Sequence, residues 1–511
     1  MVLIRQEGFH MYKEKIDAYI DSKKDELLND LMTLVRIDSQ KGESSEGKPF
    51  GEGPARVLQE AEKLLQTYGL YVKNYNNYVV TGDLFEGEKG LDVLAHLDVV
   101  PASKDWTVTQ PFEPKIVDGR IYGRGTADDK GPAVALLYAI RAIKELGIPM
   151  KKSVRIVLGS DEECGSGDLA YYYSIEKEAP YTFTPDADFP VINIEKGRLE
   201  ASFHASFADG LKLPGIVSLA SGDKANVVPQ RAGMVIGGLE KTALAACADK
   251  VTAETGVAFT LREVTEEILT SQIEENMNAE YVRDTMDEAK KDCDSAVFFF
   301  VEARGQAAHA STPQEGKNAL TAMLRLAATL PLAESEGLQA VRALAELFPY
   351  EDTCGKTLGI YREDEESGAV TLCFSILRCT AHGLSGVFDA RLPVGCTEEN
   401  TKVPVREKLA ARGICMDDNQ MVKPHCVPGD SDFVKTLLGS YERYTGIKGE
   451  PLSTGGGTYV HALERGVAFG CMVPEVDNHM HGDDEFMVIE QLVLSAKIFA
   501  DAIIKICNEL A

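Results

Sequence analysis

Long apolar runs are missing from this 511-residue chain: no stretch of about 18 apolar residues occurs, so the sequence offers no membrane-spanning helix. The first segment, MVLIRQEGFHMYKEK, lacks the apolar core of a secretory signal, and a soluble cytoplasmic protein is expected. Paired cysteines are missing too. The eleven cysteines stand singly with no CxxC, which argues against a disulfide framework and fits reduced thiols. Positive charge is scarce, with 53 Lys and Arg against 80 Asp and Glu and a net charge of -27. That field repels phosphate backbones and anionic lipid, so neither nucleic acid nor a membrane is expected as a partner. No convincing internal repeat or low-complexity segment is legible.

What is present is the composition of a globular enzyme, in a chain too long for one core. Apolar spacing predicts helices over Tyr12–Ile37 and Pro54–Tyr68. DVLAHLD (Asp92 to Asp98) reads as a buried strand with His96 and Asp98 at its carboxyl end, where open α/β sheets place their sites. A helix is expected after Pro132, then strands at Val154–Ser160 and Pro190–Gly197. Beyond Gly197 the strands ASFHASF and VFFFVEAR flank an acidic, helix-prone stretch from about Glu254 to Asp292. The reading is an α/β protein: a discontinuous catalytic domain (residues 1–197 and 422–511) with a mixed central sheet flanked by helices, and an inserted α+β lid domain (198–421).

Five islands carry candidate chemistry. His96 and Asp98 form an HxD pair suited to a metal-binding imidazole and its supporting carboxylate. GRGTADDKGP packs glycines and Asp128–Asp129 into a turn before a helix, where a carboxylate is held ionised. SDEECGSGD places Glu162 and Glu163 after a strand, adjacent and therefore differently directed, so that one can ligate while the other takes a proton. PDADFP offers Asp186 and Asp188. MHGDDEF offers His481, with His479 as rival. Each island alone has an ordinary reading: a buried His–Asp pair, a helix cap, solvated charges, turn formers or a surface loop. Together and in this order they fit the mixed imidazole and carboxylate set of a paired-metal hydrolase.

Whole phrases carry a stronger resemblance: HLDVVPASKDW, PFEPKIVDGRIYGRGTADDKGP, PDADFPVINIEKG, GGGTYVHAL and HGDDEF. From Asp92 to Glu485 the chain resembles the co-catalytic zinc peptidases that include aminoacylase, glutamate carboxypeptidase, carnosinase and succinyl-diaminopimelate desuccinylase, and among them the PepV-like bacterial dipeptidases. The resemblance implies two divalent ions, zinc first, with manganese or cobalt as alternatives. His96 and Asp186 would bind one and Glu163 and His481 the other, with Asp128 bridging and Asp98 supporting His96. It also implies a cis Asp128–Asp129 bond and Glu162 as general base.

From the lid, His309 in GQAAHAS would stabilise the oxyanion, and Asn226 and Arg391 would bind the substrate carboxylate. Gly455, Gly456 and Gly457 would let backbone approach the substrate. Val460 and His461 depart from the usual Ala and Arg. The enlarged lid implies a monomer. The expected activity is hydrolysis of dipeptides or short unblocked peptides. An N-acyl amino acid amidohydrolase and a non-catalytic metal-binding protein on the same fold are the competing readings.

Overall fold

The computed structural model describes residues 2–274 and 277–510, with residues 2–11 and 292 described by backbone alone. Residues up to Glu195 and those from His425 onward form one unit, and Lys196–Pro424 form a second. In the first, the helix expected over Tyr12–Ile37 is two: α1 (Val2–Ser22) and α2 (Lys24–Val35), separated at Lys23. The apolar stripe runs on across the break, with Ile16, Ile20, Leu27, Leu28, Leu31 and Leu34 all buried, which is why periodicity alone does not reveal it. Next come α3 (Glu52–Thr67), β1 (Tyr71–Tyr75), β2 (Val79–Asp83) and β3 (Lys89–His96). They are followed by α4 (Lys130–Glu145), β4 (Ser153–Gly159), β5 (Tyr181–Thr184) and β6 (Val191–Glu195). The chain re-enters this unit with β7 (His425–Cys426), α5 (Asp432–Thr445), β8 (Pro451–Thr454), β9 (Gly466–Ala468) and α6 (Ile489–Lys505).

The nine strands form one mixed sheet in the order β1-β2-β4-β3-β5-β9-β6-β7, with β8 also on β6. β3 runs parallel to both β4 and β5, covered on both faces, so its sequence is a continuous apolar run rather than an alternating one. Helix α4 is buried over nearly its whole circumference and shares one core with α6. Each fully buried Leu or Ile there contributes about 2 kcal/mol by leaving water. The expected strand Asp92–Asp98 begins earlier and ends at His96, so Asp98 lies past the strand end. Helix α4 begins at Lys130, ahead of Pro132.

The second unit is a nine-stranded sheet in which every pairing is antiparallel. Its order is 258–263, 298–304, 231–237, 215–221, 371–380, 383–392 and 197–206, with 415–416 and 421–422 both on the last. Helices Lys241–Thr255, Ala319–Thr329, Glu336–Leu347 and Val403–Ala410 bury their apolar faces in one core. A smaller core packs Leu269, Ile273, Val282 and Met286 against Val217, Val235, Phe298 and Phe300. The acidic stretch read as helix-prone departs from expectation: Ala258–Glu263 is an edge strand, and helix Ala279–Asp292 comes only after it. Alternation of Phe259 and Leu261 with polar neighbours is a period-2 signal too short to stand out in acidic surroundings. Positions 275 and 276 of that stretch lie outside the described residues.

Candidate metal centre

The first unit brings its five islands to one end of the sheet. His96 is the last residue of β3 and is buried. One turn of 3-10 helix, Glu162–Cys164, follows β4 and carries Glu162 and Glu163. Asp186 follows β5, and Asp128 ends the glycine-containing turn before α4. That turn needs glycine at 125, where φ is +87° and an added Cβ would lie 2.9 Å from Val99 Cγ1. The Asp128–Asp129 bond is cis. His481 stands in a loop with φ of +62°, a conformation that costs a side-chain-bearing residue about 1 kcal/mol.

Two donor groups result, and they share a residue: His96, Asp128 and Asp186 form one, and Asp128, Glu163 and His481 the other, with the donor atoms of each group within 4.8 Å of one another. His96 Nε2 lies 2.8 Å from Asp128 Oδ1 and 3.7 Å from Asp186 Oδ2. His481 Nε2 lies 2.8 Å from Asp128 Oδ2 and 3.3 Å from Glu163 Oε1. Asp128 thus presents one oxygen to each group. His96 Nε2 and Glu163 Oε1 are buried yet without an aligned hydrogen-bond partner, as expected of atoms directed at something other than each other. His479, the rival, belongs to neither group, and its ring packs edge-on against Phe486 at 5.8 Å.

Protons report the same crowding of negative charge. Burial and the neighbouring Asp128 push Asp186 up to about 7. Burial, with the Asp186, Glu163 and Asp128 carboxylates, holds the proton on Glu162 far above the usual carboxylate range, against the opposing pull of His96. Asp128 and Glu163 raise His481 to about 10. For His96, burial works against protonation, but Asp128, Asp186 and Asp98 outweigh it and raise the imidazole well above its ordinary value. Carboxylates this close require compensating positive charge, which divalent cations between two imidazoles and three carboxylates would supply. The donor set therefore fits two such ions, and its mixture of nitrogen and oxygen suits zinc, manganese or cobalt.

Asp98 does more than an HxD pair implies. Its Oδ1 is 3.5 Å from His96 Nδ1, while the better-placed acceptor for that ring nitrogen is the Asp98 backbone oxygen at 3.1 Å. The Asp98 carboxylate accepts the backbone N–H groups of Glu162 and Glu163, both at 3.2 Å, and so ties the turn after β4 to the end of β3.

Glu485 is the functional residue that sequence reasoning passed over. Fully buried, it accepts the N–H groups of Gly125 at 3.0 Å, Ala127 at 2.9 Å and Asp128 at 3.3 Å, and pairs with Arg124 at 2.6 Å. It fixes the bridging turn from behind. The only sequence signal was its place in HGDDEF, among other acids.

Gly457 is exposed beside Thr458, whose N–H and hydroxyl both donate to the buried Glu195 at 3.2 Å and 2.7 Å. His461 Nδ1 lies 3.0 Å from the same carboxylate. Asp188 is in a two-residue strand paired with Met472 and joins neither donor group.

In the second unit, Asn226 and His309 are exposed neighbours: Ala310 N–H donates to Asn226 O at 2.9 Å, and Val227 bridges His309. His309 Nδ1 is 2.6 Å from Ser311 Oγ, which fixes the ring. Arg391 is buried and makes two bonds to Asp389, at 2.7 Å and 3.1 Å.

A sequence profile of peptidase family M20/M25/M40 matches residues 93–505. The chain belongs to this family. A Beta-Ala-Xaa dipeptidase of Lactobacillus delbrueckii subsp. lactis is 32% identical over 498 residues, spanning 96% of this chain and 97% of that protein. Human carnosine dipeptidase 1 has a similar fold, with a TM-score of 0.55 and 15% identity over 97% of this chain and 98% of its own. The Dug1p dipeptidase of Saccharomyces cerevisiae gives 0.54 and 14%, over 98% of this chain and 99% of its own. The resemblance read from the sequence phrases is borne out, as is the fold class, and this M20-family chain is a metallopeptidase. Among its described residues, no helix is long and apolar enough to cross a membrane.

Proposed function

We propose that the protein is a metal-dependent dipeptidase that hydrolyses dipeptides or short unblocked peptides at a dinuclear site. The observation that carries this reading is the pair of donor groups sharing Asp128. His96 and Asp186 would hold one ion, Glu163 and His481 the other, and Asp128 would serve both; zinc is the first choice, manganese or cobalt the alternatives. Such ions supply Lewis acidity to a water and to the scissile carbonyl when bound.

Glu162 is the general base. Its carboxylate accepts the proton that water loses on attacking the carbonyl carbon, then delivers it to the amine nitrogen as the carbon–nitrogen bond breaks. Burial and the surrounding carboxylates, which raise its proton affinity, support that role. Asp98 keeps Glu162 and Glu163 in register with His96 through the two backbone bonds it accepts. His309 donates to the oxyanion, Asn226 and Arg391 hold the substrate carboxylate, and Gly457 lets backbone lie against the substrate. The fixed ring of His309 and its adjacency to Asn226 support these assignments, and Asp389 holds the Arg391 guanidinium in place. We assign the protein to the cytoplasm as a monomer, a reading supported by its free cysteines and its large second unit.

The test is the purified full chain, loaded in turn with zinc, manganese and cobalt, on a dipeptide panel beside N-acetyl amino acids. β-Alanyl dipeptides belong in the panel because of the Beta-Ala-Xaa dipeptidase relative. Turnover of dipeptides is expected. Exclusive turnover of the acetylated compounds would make the protein a deacylase, and two bound metals with no amide cleaved would make it a non-catalytic metal binder.

A further inference from the structure

The second unit contains a basic cavity remote in sequence from every residue assigned above to metal or base chemistry. It encloses about 280 Å³ at one end of the smaller core, between strands 231–237, 298–304 and 258–263 and the helical turn carrying Ser271 and Gln272. Strand alternation places its charged residues on one face: Arg231 stands opposite Arg304, Gly233 opposite Glu302, and Arg262 opposite Phe300. Gly233 opens the space. A Cβ there would come 2.9 Å from both Met277 Cε and Phe300 Cε2, so the floor is backbone and ring edge rather than side chain.

The charges do not balance. Glu302 is 3.0 Å from Arg304 and 4.0 Å from Arg262, whose Nη1 also donates to Gln272. Arg231 has no ion pair among the described residues, although it faces another guanidinium directly across the strand pair. Like charges at directly opposed positions destabilise an antiparallel pair. Among the described lining residues, three arginines against one glutamate leave an excess of two positive charges, in a chain whose net charge is -27. Uncompensated cations gathered around an open cavity, where acids dominate elsewhere, are the arrangement that recognises an anion.

We propose that this cavity is a binding site for a compact dianionic oxyanion, a phosphate or dicarboxylate group, held by Arg231 and Arg304 with Arg262 and Gln272 at its edge. Two negative charges match the local excess. Arg231 supplies the unmatched fork, and Phe300 with the Gly233 backbone gives the flat wall against which a small metabolite's carbon skeleton can lie. Arg231 opens the strand that follows the Asn226 loop, so the bound anion braces the start of that strand.

The experiment is calorimetric titration of the full, metal-loaded chain with inorganic phosphate and, separately, succinate, in chloride buffer. One saturable site is expected for at least one of the two, and which one binds tells the phosphate source from the carboxylate source. Arg231→Gln should weaken binding by about tenfold or more, Arg231→Lys by less, and Arg304→Gln by a similar factor. Without anion, the Arg231→Gln variant should melt no lower than the parent, because repulsion is relieved; this also reports that it folds. Absence of saturable binding up to about 20 mM, or binding unchanged in both glutamine variants, would overturn the proposal, the latter by placing the anion elsewhere, such as at the metal centre.

Discussion

Each unit buries a two-bond Arg–Asp pair in its sheet, Arg155 with Asp92 in the first and Arg391 with Asp389 in the second. Only the first also buries carboxylates that neither arginine nor lysine meets: Asp98, Asp128, Asp129, Asp168 and Glu195, among the described residues. An acid removed from water without a cation is costly, and the first unit meets that cost with backbone N–H groups, imidazoles and bound protons. The second unit is an antiparallel scaffold in which the buried carboxylate among the described residues, Asp389, is met by arginine. The contrast separates a cluster of acids that calls for cations from a sheet whose buried acid already has one.

The largest effect should come from Asp128→Asn, which removes one oxygen charge from both donor groups. Metal content by elemental analysis should fall from two ions towards none, and peptidase activity should fall to background. Two ions retained at parental affinity would sever the link between Asp128 and the paired site. Glu162→Gln should lower kcat by about 10²- to 10⁴-fold while leaving metal content unchanged, since the general base accounts for that range. A parallel loss of metal would make Glu162 a ligand instead.

In the second unit, Asp389→Ala strips Arg391 of its two bonds to that carboxylate and Arg198 of one at 2.9 Å, leaving a buried guanidinium to bear the cost of desolvation. A loss of about 3–5 kcal/mol in denaturant unfolding is expected, with metal content unchanged. Equal destabilisation of metal binding would show that the units do not keep separate accounts.

The smallest effect is pH-linked. Asp168, fully buried, accepts the Tyr459 hydroxyl and the N–H groups of Ser160 and Asp161, yet burial holds it up at about 6. A carboxyl whose folded value lies above its unfolded one binds more protons when folded. Its penalty is absent below about 4 and grows as pH rises to about 6, reaching about 3 kcal/mol above it. Metal-free parent protein should therefore lose stability relative to Asp168→Asn across that window and run parallel to it above; parallel curves throughout would place the Asp168 proton elsewhere.

The legible parts of the molecule are those where neighbouring residues carry the signal. DVLAHLD announces β3 because a strand covered on both faces must be apolar throughout, and the five expected ligands are the residues gathered into the two donor groups. Glu485 was not legible, because an acid that accepts three N–H groups some 360 positions away looks like any other acid in DDE. The same holds for the Asp98 carboxylate, whose partners at Glu162 and Glu163 are fixed by the parallel alignment of β3 with β4. The edge strand Ala258–Glu263 was missed because one face of it meets water and its charges resemble those of the helices around it.

His481 and Glu485 complete and brace a cluster whose other members all precede position 190. During synthesis on the ribosome, the nascent polypeptide carries four of the five donors through the making of the entire second unit before the last arrives. On the dinuclear reading, loading of both ions would wait for that segment, and a translation product halted before it would offer only the His96, Asp128 and Asp186 group complete. Such a product would be a single-ion protein, with the turn at Asp128 lacking its backing acid.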